Sequence, residues 1–218
     1  MTIRTIVTIS NSFKTFLQSG HYEDAILKLM NRSKHVFPYV YSYNENQSNG
    51  ECDFISTEPD AHNLIKYDAK LPFDGKEGKM ICSKKSDFLK WIQFMMDEAS
   101  EFSSCMILNR GMHNVNEITL YKTIEKRLCT IKEDENVVFF FPYPITHDGE
   151  GMIFTQRASD ILSAIYDELK RNGKVGARTI YVIYPSMDKK MTLRCLNNNM
   201  REFLDSPEIS QHISYEFS

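Results

Sequence analysis

The chain has 218 residues, of which 42% are apolar, 12% aromatic and 25% charged. This is the composition of an ordinary folded domain rather than a disordered segment, and it is long enough to bury roughly 70% of its unfolded surface. A net charge of −3 excludes a dedicated nucleic-acid coat, which is strongly basic, but not an enzyme that sets an acidic site inside a basic rim. No apolar run approaches the roughly 18 residues of a membrane span. The opening Met1–Val7 is too short and too polar to read as a secretory signal. The five cysteines, Cys52, Cys82, Cys105, Cys129 and Cys195, show no CxxC or Cys/His ligand spacing. They are expected to be reduced thiols of a cytoplasmic protein.

Residues 11–33 are predicted helical in two pieces, broken at Ser19-Gly20. The second piece, Tyr22–Arg32, puts Ile26, Leu29 and Met30 on one face with Glu23 at its border. His35–Tyr43 is rich in aromatic and β-branched residues and predicts a strand. The turn Asn44–Gly50 follows, then a second strand Glu51–Thr57, a turn Glu58–Asn63 and a third strand Leu64–Phe73. These three strands form an antiparallel meander. On the third, Ile65, Tyr67, Ala69 and Leu71 share one face, and Lys66, Asp68 and Lys70 the other.

Further along, helices are predicted over Asp87–Ser100 (with Trp91 and Gln93), Glu117–Thr130, Thr155–Arg171 and Thr192–Leu204. Strands are predicted over Cys105–Leu108, Val137–Ile145, Arg178–Tyr184 and His212–Phe217. Strands and helices alternate through the second half. The expected fold class is therefore α/β: one domain, with an insertion around residues 100–135, in which a central mixed sheet starts from the N-terminal meander and is flanked by helices.

One constellation carries chemistry. Asp53 lies in the second strand segment, and Asp68-Ala69-Lys70 follows 15 residues later in the third. Two carboxylates a few ångströms apart are hard oxygen ligands for Mg²⁺ or Mn²⁺. A metal held there lowers the pKa of a bound water and neutralises charge on a phosphate. A lysine two residues beyond a strand carboxylate points to the same side and can orient the water or meet the phosphate. The alternation also suits a solvated strand face, with Glu51 and Asp53 as cross-strand partners of the lysines.

The order helix, three-strand meander, helix, strand, together with Asp53, Asp68-Ala69-Lys70 and Glu23 on the preceding helix, resembles the core of the PD-(D/E)XK nuclease superfamily over about residues 11–100. The resemblance implies a restriction-endonuclease-like fold and a Mg²⁺- or Mn²⁺-dependent endonuclease. Asp53, Asp68 and Lys70 would be catalytic, with Asp53, Asp68 and Glu23 around the metal. The chain departs from the common pattern in carrying Asp rather than Glu at position 68, and in having Cys52 rather than proline before Asp53. The literal Pro59-Asp60 pair falls in a turn, and Asp60 is the fallback ligand if the strand register differs.

Lys66, Gln93, Lys84 and Lys85 are candidate substrate contacts, and Lys90, Lys170, Arg171, Lys174 and Arg178 could also meet a phosphate backbone. Gln156 opens a helix, and His147-Asp148 follows the strand Val137–Ile145 in a loop where open α/β sheets place ligands. The expected partner is nucleic acid, DNA ahead of RNA, without a membrane; cutting both strands of a duplex would call for a homodimer. The competing expectation is a non-catalytic protein-binding module on a similar scaffold, immunity- or antitoxin-like.

Overall fold

The computed structural model describes residues 5–9, 21–47, 50–56, 64–70, 106–107, 117–140, 156–185, 190–211 and 213–217. Strand β1 is Thr5–Ile9 and helix α1 is His21–Arg32; β2 is Tyr41–Tyr43, β3 Phe54–Ser56, β4 Lys66–Lys70 and β5 Met106–Ile107. Then come α2 (Glu117–Leu128), β6 (Asn136–Phe140), α3 (Gln156–Arg171), β7 (Ile180–Pro185), β8 (Met191–Cys195), β9 (Arg201–Leu204), α4 (Pro207–Ser210) and β10 (Ile213–Phe217). The class is mixed α/β, as expected. The main sheet has seven strands in the order β2-β3-β4-β6-β7-β8-β9, and a separate three-stranded sheet runs β10-β1-β5.

The meander is present: β2 pairs antiparallel with β3, and β3 with β4. Beyond it β4, β6 and β7 run parallel. Parallel neighbours need a crossover, and α2 and α3 lie in the two crossovers. Register sorts the side chains. Tyr67, Ala69, Val138, Phe140, Tyr181 and Ile183 share one face of the sheet; Asp68, Lys70, Val137, Phe139, Ile180 and Val182 share the other.

The first face is covered by α1 and the turn after it. Phe37 is fully buried and meets Tyr181, Tyr67 and Tyr41 at ring-centroid distances of 4.8, 5.7 and 6.3 Å. Tyr22 stacks on Phe140 at 6.3 Å. The amphipathic stripe predicted for α1 is the one that is buried: Ile26, Leu29 and Met30 are at most 1% exposed. On the second face Arg194 of β8 donates to Ser163 of α3, which places α3 there. Arg178 closes the end of α2, donating to the carbonyls of Leu128 at 2.8 Å and Ile131 at 3.4 Å. Carbonyls at a helix C-terminus lack intrahelical donors and favour a cation.

Several expectations need correction. The strand predicted over His35–Tyr43 is reduced to Tyr41–Tyr43. Val36 and Phe37 donate instead to the Ser33 carbonyl in a turn, which swings Phe37 into the core, and Pro38 has no N–H for a ladder. The helix predicted over Thr192–Leu204 is a β-hairpin, β8 and β9. All five residues of β8 are buried, and Met191-Thr192-Leu193-Arg194-Cys195 alternates apolar and polar residues, the two-residue period of a strand rather than a helix. The turn is Asn197-Asn198-Asn199, where Asn199 takes the left-handed conformation at φ 59°, which asparagine tolerates better than most residues. Arg178 is 5% exposed and is a helix-capping group rather than a phosphate contact. The predicted helix 87–100, Asp60, Lys84, Lys85, Lys90, Gln93 and His147-Asp148 lie outside the described residues.

Among the described residues no helix is long and apolar enough to cross a membrane. Phe37→Ala is expected to cost about 3–5 kcal/mol by opening a cavity among the three tyrosines, measured by urea denaturation. A cost under about 1 kcal/mol would show that this ring does not close the α1 face.

Candidate functional site

Strand β3 begins one residue after Asp53, which sits at a bend rather than inside the strand. The register still places it. Phe54 pairs with Tyr67, so one step back brings Asp53 opposite Asp68. There the ladder ends, and the Asp53 side chain takes over: its Oδ2 accepts the Ala69 backbone N–H at 2.7 Å. Lys70 lies on the same face of β4 as Asp68 and donates from Nζ to Asp68 Oδ1 at 2.8 Å. The same ammonium is 4.0 Å from Asp53 Oδ2. The structure therefore brings Asp53, Asp68 and Lys70 together.

The solvated-face reading does not hold at the central position. The Asp68 residue is only 6% exposed, and the side chains of Asp53 and Lys70 are 17% and 28% exposed. Two carboxylates in a poorly hydrated corner compete for ionisation. Burial, reinforced by the charge of Asp68 and a hydrogen bond to it, raises the Asp53 carboxyl from an aspartate's usual 3.8 to about 7, against the opposing pull of Lys70 and the Ala69 N–H. Desolvation outweighs the ammonium because the ammonium sits at 4.0 Å from Asp53 and bonds Asp68 instead.

Two further side chains bear on the pair. Tyr22 is buried at the start of α1, and its hydroxyl is held neutral, first by burial, then by the charge of Glu23 and a hydrogen bond to it, with Asp53 and Asp68 adding to the effect. Glu23, Asp53 and Asp68 thus all act on the Tyr22 hydroxyl. Among the described residues no three His, Cys, Asp or Glu side chains form a group able to hold a metal ion. Glu135, just before β6, is 2% exposed and its Oε1 has no hydrogen-bond partner. Burial and the charge of Asp68 push its carboxyl up.

Neither Tyr22 nor Glu135 was singled out from sequence. Tyr22 stands four residues before Ile26, on the side of the helix stripe. Glu135 reads as one of several charges in the polar run before a buried strand. Lys66, a predicted substrate contact, is bound to Asp134 at 2.9 Å. That pair is largely exposed on the Asp134 side and holds the lysine only weakly.

The donor chemistry fits a hard divalent cation. Mg²⁺ is commonly held by one or two carboxylates, with waters and substrate phosphates completing its shell, and Asp53 with Asp68 supplies two. The chain matches no protein-family model, no curated protein and no solved structure.

The raised Asp53 carboxyl makes a signed prediction. Below 3.8 it is protonated in folded and unfolded chains alike, and this group leaves stability unaffected by pH. Between 3.8 and about 7 the unfolded chain loses the proton that the folded chain keeps, so stability falls as pH rises. Asp53→Asn keeps an oxygen for the Ala69 N–H and removes the ionisation. The variant's stability relative to the wild type is expected to be about 2 kcal/mol more favourable at pH 8 than at pH 5, by urea denaturation at both. A difference independent of pH would contradict this account of the pair.

Proposed function

We propose that the chain is a Mg²⁺- or Mn²⁺-dependent nuclease acting through Asp53, Asp68 and Lys70, with a core like that of the PD-(D/E)XK superfamily. One observation carries the reading: two carboxylates and an ammonium converge at the end of the β3–β4 ladder, largely withdrawn from water, although burial there opposes the ionisation of Asp53. Perturbed carboxylates with a named charge partner are a mark of functional sites. The spatial order also supports it. Helix α1 and the meander β2-β3-β4 match the part of that succession that falls on the described residues, with parallel β6 as a completion of the core; the helix over 87–100 lies outside them.

Asp53 and Asp68 would hold the cation, with Glu23, a hydrogen-bond partner of Tyr22, as an outer metal or water ligand. A bound Mg²⁺ would supply an activated water and charge neutralisation at a phosphate. Lys70 donates to Asp68 in the free protein. With substrate present its ammonium is placed to turn to a phosphate oxygen or to the attacking water, and to stabilise negative charge as the phosphodiester is cleaved. Lys66 can exchange Asp134 for a backbone phosphate, since an exposed ion pair of this kind is worth about 1 kcal/mol or less.

Incubation of the purified protein with mixed DNA and RNA in Mg²⁺ tests this. Wild-type cleavage is expected to fall at least about a hundredfold in Lys70→Ala, as for the loss of a group that stabilises transition-state charge, and to be abolished in Asp68→Ala, with both variants folded by circular dichroism. Cleavage surviving in both variants would overturn the assignment of the site. A folded, inactive wild type would favour the alternative, a non-catalytic protein-binding module.

A further inference from the structure

Asp53 lies outside the regular ladder, so something else must hold its main chain. Its carbonyl oxygen accepts two donors: the Asn44 backbone N–H at 3.0 Å and the Gln47 side-chain amide Nε2 at 2.7 Å. The hairpin loop that supplies them is itself braced. Asn44 Oδ1 accepts the Asn46 N–H at 3.1 Å, and the Gln47 N–H donates to the Asn44 carbonyl at 3.3 Å. Asn44 Nδ2 reaches Glu51 Oε2 at 3.3 Å and Cys52 Sγ at 3.6 Å.

A strand carbonyl needs only one ladder donor. Here the second donor comes from a half-buried glutamine whose amide bridges the loop to the residue before β3. Two donors on one carbonyl restrict rotation of the peptide that follows Asp53, and so restrict the direction of its Cα–Cβ bond. The Ala69 N–H holds Oδ2 from the opposite side. Main chain and carboxylate are thus gripped from β2's side and β4's side together.

We infer that Gln47 is a positioning residue: its amide holds the Asp53 main chain so that the carboxylate meets both Ala69 and the space shared with Asp68. The inference rests on the reading of Asp53 as a metal ligand. Groups that orient a ligand without touching the metal commonly change affinity about 10- to 100-fold. A role confined to loop packing would leave the Asp53 carboxylate and its hydrogen bond to Ala69 unchanged.

Gln47→Met keeps the length of the side chain and removes the donor, and two readouts separate the outcomes. The first is hydrogen exchange of the Ala69 amide in the metal-free protein, compared with Val182 two strands away. The second is Mn²⁺ affinity by calorimetry, compared with Asp53→Asn. Gln47→Met is expected to speed Ala69 exchange about tenfold with Val182 unchanged, and to weaken Mn²⁺ binding at least about tenfold. Unchanged Ala69 exchange overturns the inference whether or not the metal binds. Faster Ala69 exchange with unaltered Mn²⁺ affinity, in a wild type that binds and an Asp53→Asn variant that does not, overturns it as well. A wild type that binds no Mn²⁺, with Ala69 exchange still accelerated, refutes the metal reading and leaves the orienting contact standing.

Discussion

Everything at the candidate site depends on the register between β3 and β4. Phe54 opposite Tyr67 is a pair of buried aromatic residues, 0% and 5% exposed, and it leaves no freedom to slide. A one-residue slip would carry both rings to the wrong face and move Asp68 away from Asp53. Core packing on the α1 face therefore positions carboxylates that belong to the other face. Phe37, Tyr41, Tyr67 and Tyr181 form the aromatic layer that sets this register, and the carboxylate pair inherits its precision from them. The parallel β4–β6 pairing then sets the other side: Val137 lies beside Asp68 and Phe139 beside Lys70. These apolar neighbours keep water scarce.

That scarcity gives the site its electrostatic character. A surface Asp-x-Lys would be hydrated, and the three groups would interact weakly. Here desolvation outweighs the nearby ammonium at Asp53. Such a pair stabilises the fold poorly, because ionising it works against burial. Its position at a ladder end, with a lysine bonded to one carboxylate, suits a role in which a cation or a phosphate supplies what the free protein lacks. Glu135, 2% exposed, with Lys132 Nζ 3.9 Å from its Oε1 but no hydrogen bond to that oxygen, is likewise pushed up by burial and the charge of Asp68.

Much of this was legible in the sequence. The amphipathic stripe of α1, the three-strand meander and the grouping of Asp53, Asp68 and Lys70 all follow from period and spacing. Helix α3 begins within a residue of its expected start. What escaped was set by tertiary contacts. The β8–β9 hairpin is an exception: Met191–Cys195 alternates apolar and polar residues, and the three asparagines that follow mark a turn. Asp53 looked like a strand residue because nothing local announces that its carboxylate replaces a ladder acceptor. Arg178 looked like a surface cation, since only the fold shows that a helix end needs it.

The proposed function stands or falls with Asp53 and Asp68 as a place for a divalent cation. The most direct measurement is a calorimetric titration of Mn²⁺ into the folded wild type beside Asp68→Ala. One bound ion is expected in the wild type and none in the variant, with both proteins folded. A folded wild type that takes up no ion, or an Asp68→Ala variant that binds it as tightly, would contradict the claim.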